Sequence, residues 1–429
     1  MFLLMFIYKY TPMRSGILFC IIIFMIMENS FAQETSSWRE KNRTGVSSET
    51  SLLKSWPEGG PTLLWTNSDL PKGNSSLAFG NDTIFITGLK DSLDILIALD
   101  MSGKILWQTP MGRAWNGSFP ESRATPTVEG NRVYTCSGYG DLACINGSNG
   151  RIIWSYKGSE ISNGTYGRWG IAESLLIDGD KLYFSPGGPE TMTIAIDKTT
   201  GKLIWRSSSI DDKPGYVSPI IIDYSGKRMI VNVAMGHVFA VDASDGGILW
   251  TVVNERPKSL NPNWELIKCT TPLYNQGKVY VTGGYNTGGM MIVISSDGRN
   301  GHVAWTDSIL DNHHGGVVLI DGYIYGSNWL NNADGNWCCI DWETGKKKWE
   351  EHWQCKGSVI AAEGMLYLFD EKKGTVGLVR ATPEKFDLVS HFNVTQGAQG
   401  PFWAHPVIHK GILYLRHNNA LMAYDIREK

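Results

Sequence analysis

Seven ionisable residues stand where long connecting segments end and short apolar runs begin: Arg123, Glu173, Lys268, His313, His314, Lys356 and His405. Their types suit an elimination. Arg123, Lys268 and Lys356 can neutralise the carboxylate of a uronate sugar, and arginine's fork matches two oxygens. Neutralising that charge acidifies the carbon beside it. A histidine among His313, His314 and His405 can remove the proton, because its pKa lies near working pH. A second histidine, or Tyr166, can protonate the departing oxygen. The expected reaction is therefore β-elimination, a lyase if a sugar leaves and a dehydratase if hydroxide leaves. Hydrolysis would want two carboxylates about 5 to 10 Å apart, and Glu173 is the one clear acidic candidate.

Aromatic residues share the same segments: Trp115, Phe119, Tyr166, Trp169, Trp264, Tyr285, Trp329 and Trp403. Apolar faces beside polar groups suit sugar rings or other flat amphipathic ligands. Arg123, Glu173, Lys268 and Lys356 with Trp115, Trp169 and Trp403 form the expected substrate-binding set. The competing reading makes the charges solvated or mutually paired, and the aromatics channel plugs. No cofactor is expected. A metal on His313, His314 and Asp311 is not expected either, since adjacent side chains rarely orient well on one ion.

A repeat must position these groups. A small residue, an aliphatic, an Asp, a Gly turn and then a Trp recur from Ala98 to Trp107, Cys144 to Trp154, Ala195 to Trp205, Ala240 to Trp250, Val293 to Trp305 and Cys339 to Trp349. A degenerate copy runs from Val379 to Phe392. The period of about 43 to 55 residues fits a four-stranded blade. Asn or Asp before Gly favours hairpin turns, and Lys278-Val279-Tyr280-Val281 alternates with period two. Trp403 to Asp425 supplies three strands of an eighth unit, and Pro61 to Thr66 fits as its missing fourth strand. The expected fold is all-β: an eight-bladed propeller of four-stranded antiparallel blades, its ring closed by the N-terminal strand joining the last blade. The closing tryptophans read as inter-blade packing. The tight turns fall on one face and the variable connections on the other, so the site is expected at the mouth of the central channel on the variable face.

The chain has 429 residues and a net charge of −3, which gives no electrostatic pointer to nucleic acid or an acidic membrane surface. Residues 1–32 read as a signal peptide: Lys9 and Arg14, an apolar run from Ile17 to Met27, and Ser30-Phe31-Ala32 before cleavage. Residues 33–60 read as an irregular leader clasping the outside, and 61–429 as one propeller domain. Six cysteines would remain. Cys136 and Cys144, symmetric about Gly140, read either as a hairpin disulfide or as two buried thiols. The expected location is periplasmic or secreted, with no transmembrane anchor. Oligosaccharide or polysaccharide is the expected partner, with an envelope protein as a further one and no nucleic acid.

The A-x-D-x-x-T-G-x-x-x-W pattern, intact from Ala195 to Trp205, resembles the pyrroloquinoline-quinone-like repeat over essentially all of the mature chain. That resemblance implies a propeller and leaves function open. The family includes quinoprotein dehydrogenases, an outer-membrane assembly lipoprotein and short exported propellers. Two alternatives to the elimination therefore stand: a non-catalytic envelope scaffold or binding protein, and a quinone-dependent oxidoreductase. Cys338-Cys339 is similar to the vicinal disulfide that packs on the quinone in those dehydrogenases. Yet Cys339 occupies the repeat's small-residue slot, and strand neighbours point to opposite faces. A calcium-binding Glu, Asn and Asp set is not matched.

Overall fold

The computed structural model describes residues 35–158, 163–255, 261 and 265–428. The expected signal segment 1–32 and Trp264 lie outside them.

Each repeat folds as a four-stranded antiparallel meander, and eight such sheets form a propeller. Blade 1 is Ala78–Gly80, Thr83–Lys90, Leu93–Asp100 and Ile105–Arg113. Blades 2 to 7 follow in chain order, each beginning with an inner strand: Thr127–Glu129, Leu176–Asp178, Ile220–Tyr224, Leu273–Asn275, Val317–Ile320 and Gly357–Ala362. Blade 8 has Val407–His409, Ile412–His417 and Ala420–Asp425, and Thr62–Asn67 pairs antiparallel with the last of these. Thr62–Asn67 thus closes the ring against the last strand.

The repeat's Asp and Trp each explain part of this. Asp197 accepts hydrogen bonds from the Thr199 and Thr200 amides and hydroxyls, fixing the turn between the third and fourth strands. Those bonds hold its carboxyl down at about 2. The turn glycine adopts a left-handed φ of +74° at Gly201 and lies against the Trp154 ring of the preceding blade, where a Cβ would come within 2.9 Å. Trp154 Nε1 also donates to the Lys198 carbonyl at 3.0 Å. Gly103 on Trp65, Gly246 on Trp205 and Gly345 on Trp305 repeat the arrangement. The hydrophobic core is accordingly divided into eight clusters, each spanning one junction between neighbouring blades.

The first half of the leader does not clasp the outside, whereas Trp56 and Gly60 do reach the outer strand of blade 7 at Ser390 and Phe392. Thr35–Ser36 pairs with the inner strand of blade 2, and Val46–Ser47 runs parallel to that of blade 7. Between them the chain turns inside the channel, with positive φ at Arg39, Glu40, Asn42 and Arg43. Arg39 donates to the Val317 and Val359 carbonyls at 2.6 and 3.0 Å. Arg43 donates to Ser174, Leu175 and Pro219 carbonyls at 2.7 to 2.9 Å. Beyond the two short leader strands, the inner edges of the blades leave carbonyls facing the axis without a strand to pair them. Two buried guanidiniums satisfy those carbonyls from within.

The cysteines are free among the described residues. Cys136 pairs with Leu142 and Cys144 with Tyr134, so the hairpin centres on Tyr139 rather than Gly140 and the two thiols are not opposed. Cys338 and Cys339 face different blade junctions, as strand alternation requires.

Candidate functional site

The crossings between blades and the loops between second and third strands surround a cavity of about 1740 Å³ at the channel mouth. Of the expected residues, Trp115, Arg123, Tyr166, Trp169, His313, His314, Trp403 and His405 line it. Glu173, Lys268 and Lys356 are buried behind its walls and are not among the lining residues.

The aromatics form a nearly continuous wall. Trp115 packs on Tyr139 and Tyr166, with centroids 5.1 and 6.2 Å apart. Trp169 lies 5.5 Å from Tyr216, Tyr285 lies 5.0 Å from Trp329, and Trp403 lies between Phe119 and His314 at 5.2 Å from each. Gly170 makes room for this wall: its φ is +75°, and a Cβ there would come within 2.9 Å of the Trp115 ring. Arg123 holds the loops in place by donating to the Phe119 and Trp169 carbonyls. Burial lowers its pKa, with Asp94 opposing.

The three hidden ionisable groups are structural. Lys268 donates to Thr287 Oγ1 at 3.0 Å, and burial lowers its ammonium to about 8. Lys356 pairs with Glu371 at 2.8 Å and donates to the Asn331 carbonyl at 2.9 Å. Glu173 accepts from the Ser185 amide at 3.1 Å beneath Arg43, and burial raises its carboxyl to about 8. None of them lines the cavity.

His405 has no free nitrogen. Arg39 Nη1 lies 2.9 Å from Nδ1, and a guanidinium can only donate, so Nδ1 accepts. The Nε2–H therefore donates to the His314 carbonyl at 2.8 Å. Burial and then the Arg39 charge hold its pKa well below the usual value. His405 is a fixed neutral strut and not a base. His313 and His314 sit with ring centroids 4.2 Å apart, and each keeps one unpartnered nitrogen, Nδ1 and Nε2 respectively. Burial lowers both pKa values. Asp311 is not their companion: its carboxylate accepts from the Asn286 and Gly288 amides, both at 2.7 Å. The acid beside them is Glu371.

Sequence reasoning missed Glu371, Trp38 and Tyr216. Glu371 stands in Asp370-Glu371-Lys372-Lys373, which reads as a solvated turn. Trp38 belongs to the leader, yet its ring lies 4.4 Å from His405 and floors the cavity. Neither residue carries a sequence signal for its position.

Fold and site together define a β-propeller with an aromatic-walled mouth. Residues 92–351 match the family model of outer membrane protein assembly factor BamB, and the chain belongs to this family of pyrroloquinoline-quinone-like repeat propellers. The BamB of Moranella endobia is 22% identical over 289 residues, covering 64% of this chain and 68% of that protein. A quinoprotein ethanol dehydrogenase of Pseudomonas putida is 27% identical over 138 residues, covering 30% of this chain and only 22% of that enzyme. Quinohemoprotein alcohol dehydrogenase ADHIIG from Pseudomonas putida HK5 superposes with a TM-score of 0.66 at 12% identity, covering 93% of this chain and 81% of that one. A europium-containing methanol dehydrogenase does so at 0.64 and 10% identity, covering 89% of each chain. At such identities the two structures speak for the fold alone.

These findings correct the elimination reading. The relatives named above are an assembly factor and a quinoprotein dehydrogenase, and neither is a lyase acting on acidic sugars. The geometry agrees, because Lys268 and Lys356 are sealed off and His405 is doubly bonded. Among the described residues, no helix is long and apolar enough to cross a membrane.

Proposed function

We propose that this chain is a non-catalytic binding propeller of the cell envelope, exported on residues 1–32, that seats a segment of a partner protein in its mouth. The observation carrying this is the cavity. At about 1740 Å³ it exceeds the roughly 300 to 1,000 Å³ usual for a small-molecule site, and its walls are aromatic. Aromatic and arginine side chains are the usual anchors of protein recognition. The match to BamB supports the reading, since it spans 68% of that protein. Residues 33–60 act with 61–429 as one binding body, because Trp38 floors the site.

The quinone reading has dehydrogenase relatives in its favour. Against it, Cys338 and Cys339 are free thiols buried in separate blade junctions, remote in role from any ligand wall. The test is a photoreactive residue placed at Phe119, on the cavity rim, or at Leu203, on an exposed blade edge, in the native envelope. A defined cross-linked envelope protein from position 119 and none from 203 is expected. Dye reduction with an alcohol that depends on added pyrroloquinoline quinone and calcium would overturn the proposal in favour of the oxidoreductase.

A further inference from the structure

One wall of the cavity has a composition that partner binding does not require. His313, His314 and Glu371 each bring one potential ligand atom to within 4.8 Å of the others. They come from two separate connections, the crossing into blade 6 and the loop after Met365–Asp370 in blade 7. Glu371 is 3% exposed. Its Oε1 is taken by Lys356 at 2.8 Å, and its Oε2 lies 3.4 Å from His314 Nε2.

The hydrogen bonds leave three atoms over. His313 uses Nε2 on the Tyr285 hydroxyl at 3.0 Å, and its Nδ1 has no partner. His314 Nε2 likewise has no hydrogen bond, its polar contact being Glu371 Oε2 at 3.4 Å. Orphaned buried polar atoms are uncommon and call for an explanation. Two converge here beside a carboxylate oxygen. The remaining contacts have the form of an outer shell: a hydroxyl fixes the second nitrogen of one imidazole, and an ammonium orients the carboxylate. The His314 backbone is tied by His405, which Arg39 in turn holds.

We propose that His313, His314 and Glu371 bind a divalent first-row transition ion at the cavity wall, with an open coordination position facing the lumen. Two imidazoles and one carboxylate suit zinc or iron(II). Calcium and magnesium prefer all-oxygen shells. Three protein ligands leave room for water or for a donor atom of whatever enters the mouth. The Lys356 ammonium opposes a second cation, so the affinity falls below that of the same triad without it. Trp403 borders the site, its ring 5.2 Å from that of His314.

The experiment uses the mature chain, stripped with chelator and titrated with cobalt(II) chloride alone, without any partner. One equivalent is expected to bind, with visible d–d bands of nitrogen and oxygen ligation and no thiolate charge-transfer band. His313→Ala, His314→Ala and Glu371→Gln are each expected to weaken binding on the order of 100-fold. Their metal-free circular dichroism should match the parent. Should a variant misfold, X-ray absorption on the cobalt-loaded parent decides, two imidazole shells being expected. A thiolate band, absence of saturable binding, or unchanged affinity in the folded variants overturns the site. Because no partner is present, such a failure leaves the cross-linking result untouched, and the converse also holds.

Discussion

Asp94 shows how a single residue reports the cost of building this mouth. Its Oδ2 accepts from the Gly138 amide at 2.8 Å, while Oδ1 has no partner. Burial pushes its carboxyl up to about 7, with the Gly138 bond and then Arg123 pulling the other way. Between the ordinary carboxylate range and pH 7 the folded chain holds this proton and the unfolded chain has released it. Stability from this group is therefore fully present at low pH and is lost as pH rises towards 7. Asp94→Asn removes the titration. In urea melts at pH 7, 6 and 5, the parent is expected to gain on the variant by on the order of 1 kcal/mol per unit of falling pH. Parallel curves would mean that Asp94 is ionised in the native state. His405 makes a similar point without titrating: its tautomer follows from arginine being unable to accept.

The element that decides the interior is the leader turn between Ser36 and Val46. Its apex places four non-glycine residues at positive φ, a conformation that costs roughly 1 to 3 kcal/mol each where it is not compensated. Five guanidinium bonds to backbone carbonyls hold it there. Arg43→Ala would leave the Ser174, Leu175 and Pro219 carbonyls without this donor and the Glu173 carboxyl without the nearby charge. A loss of about 3 kcal/mol in chemical denaturation is expected. Protease susceptibility within residues 35–60 should rise with it. An unchanged midpoint would show that water replaces the guanidinium and that the turn is not pinned by it.

For the whole molecule, ring closure is the controlling event. Thr62–Asn67 is the outer strand of blade 8, far in sequence from its partner Ala420–Asp425. Trp65 completes the junction with blade 1: its Nε1 donates to the Met101 carbonyl at 3.0 Å, and its ring lies on Gly103. Trp65→Ala creates a cavity beside the one strand pair, within blade 8, that no direct turn connects. About 3 kcal/mol of lost stability is expected. Light scattering should show concentration-dependent association, as freed strand edges pair between molecules. The same change at Trp205, inside the continuous chain, should destabilise without association. Association in both would mean that closure is not the weak point.

The repeat determined most of this architecture in advance. The Asp-turn-Gly-Trp spacing is local, and each part acts within a few residues or on the next blade: Asp197 on the Thr199 and Thr200 amides, Gly201 under Trp154. Blade number, ring closure and the face bearing the cavity follow from counting such units. The contents of the cavity do not follow, because they depend on contacts between separate segments, some of them hundreds of residues apart. Nothing near Lys356 announces that Glu371 will neutralise it, and nothing near Trp38 or Arg39 says that they will meet His405 inside the channel. A charged residue in a variable loop reads the same whether it ends in solvent, in an ion pair or beside a ligand. Its burial and its partners separate those fates, and only the closed ring brings them together.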